Sequence, residues 1–138
     1  AGRPAWRPAG DVAGAVRVRV VVFLDPPVCA VGLTEAAARE RGIDIETAEF
    51  DIAGVSGAEV SREHYDGRAK VVVDRATDTL IGATFAGTAT TELLHSATVA
   101  MVGRVPVSRL WHAVASFPTV SEIWLRLLET LQNQRRRR

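Results

Sequence analysis

Ala69-Lys70-Val71-Val72-Val73-Asp74 and Thr79-Leu80-Ile81-Gly82-Ala83-Thr84-Phe85-Ala86 flank the tetrapeptide Arg75-Ala76-Thr77-Asp78. Both flanks are rich in β-branched residues and the link is short and polar, so the stretch predicts a β-hairpin. Upstream, residues 43–50 alternate loosely enough to predict a half-exposed strand. Residues 17–23, Arg-Val-Arg-Val-Val-Val-Phe, predict the first strand, which Asp25-Pro26-Pro27 stops because proline cannot continue a ladder. Residues 28–33 read as irregular. Thr34 then suits a helix N-cap with Glu35 in the first turn, and the helix over residues 35–41 ends at Gly42. Residues 53–66 hold Gly54, Gly57 and mixed charges and predict mostly loop, with no helix following the glycines to form a phosphate cradle.

Downstream of the hairpin, Gly87 breaks the strand and residues 88–102 predict a helix ended by Gly103. Residues 106–114 predict a second helix with Pro106 near its first turn. Residues 118–134 carry the best helical pattern. Val120, Ile123, Trp124, Leu127, Leu128 and Leu131 form one apolar stripe, which must dock against the domain's own sheet or a partner. This order of elements implies an α+β fold, a mainly antiparallel β-sheet with flanking helices.

At 138 residues, 47% hydrophobic and 24% charged, the chain suffices for one domain with its own core and excludes wholesale disorder. The net charge of +1 divides unevenly: +3 over residues 1–19, −6 over 20–134 and +4 over 135–138. The acidic body argues against a nucleic-acid-binding face. Residues 1–15, rich in Ala, Gly and Pro, read as a linker or disordered arm, residues 16–134 as the domain, and Arg135 to Arg138 as a solvated basic tail. The single Cys29 excludes an internal disulfide, a redox cysteine pair and a multi-cysteine metal site. It reads as a buried, inert thiol in a reducing cytoplasm. No apolar run approaches the ~20 residues a membrane span requires.

Catalytic motifs are sparse. There is no dinucleotide fingerprint, P-loop or nucleophile elbow. His64, His95 and His112 are too far apart for a helical metal face, so no metal is expected. Glu92 and His95, three apart on a helix, read as a surface or interface pair before an acid–base dyad. A small enzyme acting through Glu92 and His95, or through His112, is the weakest of the readings these residues allow. From composition and pattern, the chain is an α+β module without its own catalytic apparatus.

Three ordered segments resemble the C-terminal interface domain of the flavin-dependent pyridine nucleotide–disulfide oxidoreductases, the family of dihydrolipoamide dehydrogenase, glutathione reductase and mercuric reductase. They are Val22-Phe23-Leu24-Asp25-Pro26-Pro27-Val28-Cys29-Ala30-Val31-Gly32-Leu33-Thr34-Glu35; Gly67 to Asp74 with Leu80-Ile81-Gly82-Ala83, Gly87 and Glu92-Leu93-Leu94; and Phe117-Pro118-Thr119-Val120-Ser121-Glu122. The resemblance implies the dimerisation domain of a homodimer, with FAD and NAD(P) held by upstream domains and no cofactor bound by this chain. It places Phe117, Pro118, Thr119, Glu122, Trp124, Leu127 and Leu128 at the interface, and a cis bond at Phe117–Pro118. In the disulfide-processing members the last box begins with a His that serves as acid–base partner across the dimer, oriented by the Glu. Here Phe117 and Glu122 occupy those two positions. A phenyl ring cannot carry a proton, so the resemblance implies a parent oxidoreductase that does not process disulfides. It would pass electrons to a quinone, a metal ion or another nicotinamide. The alternative reading is a free-standing protein-interaction module that reuses the fold.

Overall fold

The computed structural model describes residues 19–22, 26–61 and 63–137; the expected arm over residues 1–15 lies outside them. Two strands open this course, β1 (Arg19–Val22) and β2 (Val28–Gly32), paired antiparallel with Arg19 opposite Val31 and Val22 opposite Val28. The sequence suggested no β2. Its five residues include Ala and Gly, weak local strand formers, and besides β1 they pair at long range with the hairpin, Cys29 opposite Phe85 and Val31 opposite Ala83.

Helix α1 (Glu35–Glu40) starts as expected, with the Thr34 hydroxyl accepting from the Ala37 N–H at 3.2 Å, and Gly42 follows at φ +69°. Strand β3 (Ile45–Asp51) leads into residues 52–61, where the expected loop is instead a 3-10 turn (Ile52–Gly54) and a short helix, α2 (Ser56–Ser61). The Asp51 carboxylate caps this stretch at the Ala53 N–H (2.9 Å), and Ile52, Val55 and Ala58 are sealed in the core. Two glycines hide that three-residue spacing from propensity arguments.

The hairpin forms as expected, from β4 (Gly67–Asp74) and β5 (Thr79–Gly87), with Val71 opposite Ala83 and a register shift between Val72 and Val73. Helix α3 (Thr90–Val102) follows. Helix α4 (Val107–Leu110) is a single turn, shorter than the expected 106–114. Val107 is buried, but His112, Ala113 and Val114 are exposed, so no buried face supports a further turn. A 3-10 turn (Val120–Glu122) introduces α5 (Ile123–Arg136), which continues into the segment read as a basic tail.

Among the described residues the sheet has five strands, each antiparallel to its neighbours, in the order β1-β2-β5-β4-β3. One face carries α3 and α5 over a core built on Phe85, Val71, Ile123, Leu127 and Leu131; on the other, α1 packs its Ala38 over Val72 and Ile45. The fold is the expected α+β sheet with flanking helices.

Candidate functional site

The apolar stripe of α5 is spent within the chain. Ile123, Leu127 and Leu131 are 0–1% exposed and Leu128 is 5% exposed. Leu127 and Leu128, expected at an interface, are therefore core residues. With the sheet available on one side, an inward-facing stripe satisfies itself before any partner is met. Trp124, the remaining stripe member expected at the interface, is half-buried. Its ring meets Phe85 edge to face with centroids 5.7 Å apart, and its Nε1–H donates to the Ser96 hydroxyl at 3.0 Å. Ser96 in turn donates to the Leu93 carbonyl at 2.7 Å. The indole thus has a fixed orientation, with one edge in the core and one facing outward. Nothing in the sequence linked Ser96 to Trp124, because the two lie 28 residues apart.

The segment before α5 behaves differently. Phe117 is 77% exposed, Pro118 is exposed, and the bond joining them is cis, as expected. Thr119 and Glu122 are half-buried and tied together. The Thr119 N–H donates to the Glu122 carboxylate at 3.1 Å, the Glu122 N–H donates to the Thr119 carbonyl at 3.1 Å, and the Thr119 hydroxyl donates to the Ser116 carbonyl at 2.6 Å. Glu122 therefore acts as the acidic half of a capping box, satisfying a backbone donor that the start of the helix would leave free.

Two connected grooves surround this segment. One, about 370 Å³, runs past Phe117, Val114, Trp111, Glu122, Leu125 and Ser56. The other, about 570 Å³, runs between α3 and α5 past Glu92, His95, Val99, Arg109 and Trp124. Val114, Phe117 and Leu125 line the first groove and Val99 the second, and all four are exposed apolar side chains. Glu92 and His95 are both exposed on α3 at the groove, as a surface or interface pair would be; His112 is exposed beyond α4, and His64 is exposed before β4.

Other sequence candidates fall elsewhere. Cys29 is fully buried, its thiol donating to the Thr90 carbonyl at 3.4 Å, and burial pushes its pKa up, so the protonated thiol is the stable form. Gly54 lies in the 3-10 turn and Gly57 in α2. Arg135 is no free tail residue. It binds the Glu46 carboxylate through Nε at 2.8 Å and also through Nη2, and Asp78 at 2.7 Å; the two carboxylates hold its pKa well above the ordinary arginine range. Among the described residues no group of His, Cys, Asp and Glu side chains could hold a metal ion, and no helix is long and apolar enough to cross a membrane.

Comparison with known proteins agrees with this architecture. The dihydrolipoyl dehydrogenase of Rhizobium etli is 38% identical over 100 residues, covering 72% of this chain and 21% of that protein. The probable pyridine nucleotide-disulfide oxidoreductase RclA of Escherichia coli is 32% identical over 101 residues, covering 73% of this chain and 23% of that protein. The solved structure of the HOCl-induced flavoprotein disulfide reductase RclA from Escherichia coli superposes with a TM-score of 0.74 at 30% identity, covering 81% of this chain and 26% of that one. The chain thus spans about a quarter or less of the length of these relatives. Residues 18–127 match the pyridine nucleotide-disulphide oxidoreductase dimerisation domain, and the chain belongs to that family.

Proposed function

We propose that this chain is the dimerisation domain of a flavin-dependent NAD(P)H oxidoreductase, and that two copies meet through the side bearing Phe117, Pro118, Thr119, Glu122 and Trp124. Leu127 and Leu128 support that surface from the core. FAD and NAD(P), held by upstream domains of the parent, would supply the two-electron transfer. This chain supplies association and the group at position 117. The observation that carries the reading is Phe117 itself, an exposed aromatic side chain where the disulfide-processing relatives would place a histidine. An exposed phenyl group beside Val114 and Leu125 makes an apolar anchor of the kind that dominates interface energies. It can neither accept nor donate a proton. The proton relay that thiol chemistry requires is thus lost from this position, and Glu122 is engaged with the Thr119 backbone. The parent would therefore reduce an acceptor other than a disulfide, such as a quinone, a metal ion or a second nicotinamide.

Sedimentation equilibrium tests the first half. The chain is expected to dimerise, and Phe117→Ala to weaken the dimer by about 2 kcal/mol or more while leaving unchanged the denaturation midpoint of the monomer, measured at concentrations below the dimer's dissociation constant. A monomeric wild type overturns the reading. Steady-state assay of the parent protein with NADH or NADPH tests the second half. Turnover is expected with quinones and not with lipoamide or glutathione disulfide, and rapid disulfide reduction refutes that part.

A further inference from the structure

We infer that Gly57 is a positioning residue: it lets α2 sit directly on the Thr119 backbone and so fixes the place from which Phe117 is presented. A methyl group on Gly57 would overlap the carbonyl carbon, the carbonyl oxygen and the Cα of Thr119. These are backbone atoms, so the overlap cannot be relieved by turning a side chain.

Neither side of the contact is free to retreat. On the α2 side, Val55 and Ala58 are sealed in the core, the Ala58 N–H donates to the Val55 carbonyl at 3.0 Å, and the Ser61 hydroxyl donates to the Gly57 carbonyl at 2.5 Å. On the other side, Thr119 is the hub of the box. Its N–H is held by Glu122, its carbonyl accepts from the Glu122 N–H, and its hydroxyl holds the Ser116 carbonyl. Any displacement of Thr119 therefore travels to Phe117, two residues earlier. Gly54 supplies the contrast. A methyl group there would meet only the Phe50 ring, 3.0 Å from its Cε1, and an aromatic side chain can yield.

The position of the box rests on this structure alone. Only the consequence for association rests on the proposed dimer, so the experiment reads the two separately in the 138-residue chain. Amide hydrogen exchange resolved by NMR reports the box, and sedimentation equilibrium reports association. Gly57→Ala is expected to speed exchange of the Thr119 and Glu122 amides at least tenfold, leave the Val71 and Phe85 amides unchanged, and weaken the dimer at least tenfold. Gly54→Ala is expected to do none of these. Local acceleration with undiminished association keeps the role of Gly57 and overturns instead the reading of residues 117–122 as interface. Unchanged exchange at Thr119 and Glu122, or a rise spread evenly over the sheet, overturns the inference. If Gly57→Ala does not fold, Ser61→Ala decides, because it loosens α2 without adding an atom. An acceleration of threefold or more confined to the same two amides supports the inference, and its absence overturns it.

Discussion

The two ends of α5 are anchored by opposite means. At its start, backbone groups are satisfied locally by Glu122 and Thr119, and the chain just before them leaves Phe117 in solvent. At its end, Arg135 reaches across to Glu46 on β3 and to Asp78 in the hairpin turn, and the Glu46 side chain is only 5% exposed. The family match runs over residues 18–127, so it includes the first end and not the second. The difference separates two tasks. An end capped by its own backbone can present apolar surface outward, whereas an end held by distant carboxylates closes the chain on itself. Asp78 also accepts from the Ser108 N–H at 3.2 Å, and its carbonyl accepts from the Val107 N–H at 2.7 Å, so the closed end fixes the start of α4 as well.

The largest effect is expected midway between the ends. Leu127→Ala removes a fully buried side chain under the helix and should cost about 2–5 kcal/mol, read from urea denaturation. If Leu127 instead served a partner, the loss would appear in the association constant with the monomer's stability unchanged, and the comparison would fail. Next is Arg135→Ala. Glu46 would be left buried and uncompensated, a loss of about 2 kcal/mol once the partial exposure of the arginine is allowed for. Glu46→Gln should cost less, and a double-mutant cycle should show coupling between the two positions. No measurable loss with Arg135→Ala would return residues 135–138 to the role of a solvated tail.

What the sequence disclosed follows the range of the interactions. The hairpin was legible because strand, turn and strand are contiguous, and α1 because Thr34 and Gly42 mark its ends within one short segment. Strand β2 was not: its own residues include weak strand formers, and besides its neighbour β1 it pairs with β5, fifty or more residues later. The Arg135 clamp was not, because Glu46 and Asp78 are 89 and 57 residues away along the chain. The stripe of α5 was visible as a face to be buried, but a periodicity does not state against what; Leu127 and Leu128 went to the sheet. At the candidate site, Phe117 and Glu122 were picked out by resemblance to a motif, whereas the capping contact and the approach of Gly57 to Thr119 exist only after folding.

A smaller effect tests the open end. Glu122→Ala removes the acceptor for the Thr119 N–H and should cost about 1 kcal/mol, the ordinary value of a lost cap. The Thr119 amide should then exchange faster, while the Arg135 end stays protected. Equal fraying at both ends would mean that α5 responds as one rigid body and that its anchors are not independent.

The smallest effect comes from ion pairs on the other face of the sheet, where Lys70 lies 2.7 Å and Arg39 2.8 Å from the Glu35 carboxylate, all at the surface. Lys70 first, and then Arg39, hold the Glu35 carboxyl below its ordinary pKa. A carboxylate depressed in the folded state adds stability that is fully present above its unfolded pKa, about 4.3, and is lost as pH falls through the lower folded value. Lys70→Met should therefore lower the thermal midpoint slightly at pH 6, and the difference from wild type should shrink as pH falls below 4. High salt should shrink it too, because water and mobile ions already screen exposed charges. Arg135→Ala, which strands a buried carboxylate, should keep most of its deficit in the same salt. A Lys70→Met deficit as large as that of Arg135→Ala at neutral pH would show that burial does not separate the two kinds of pair, and the closed end of α5 would lose its physical basis.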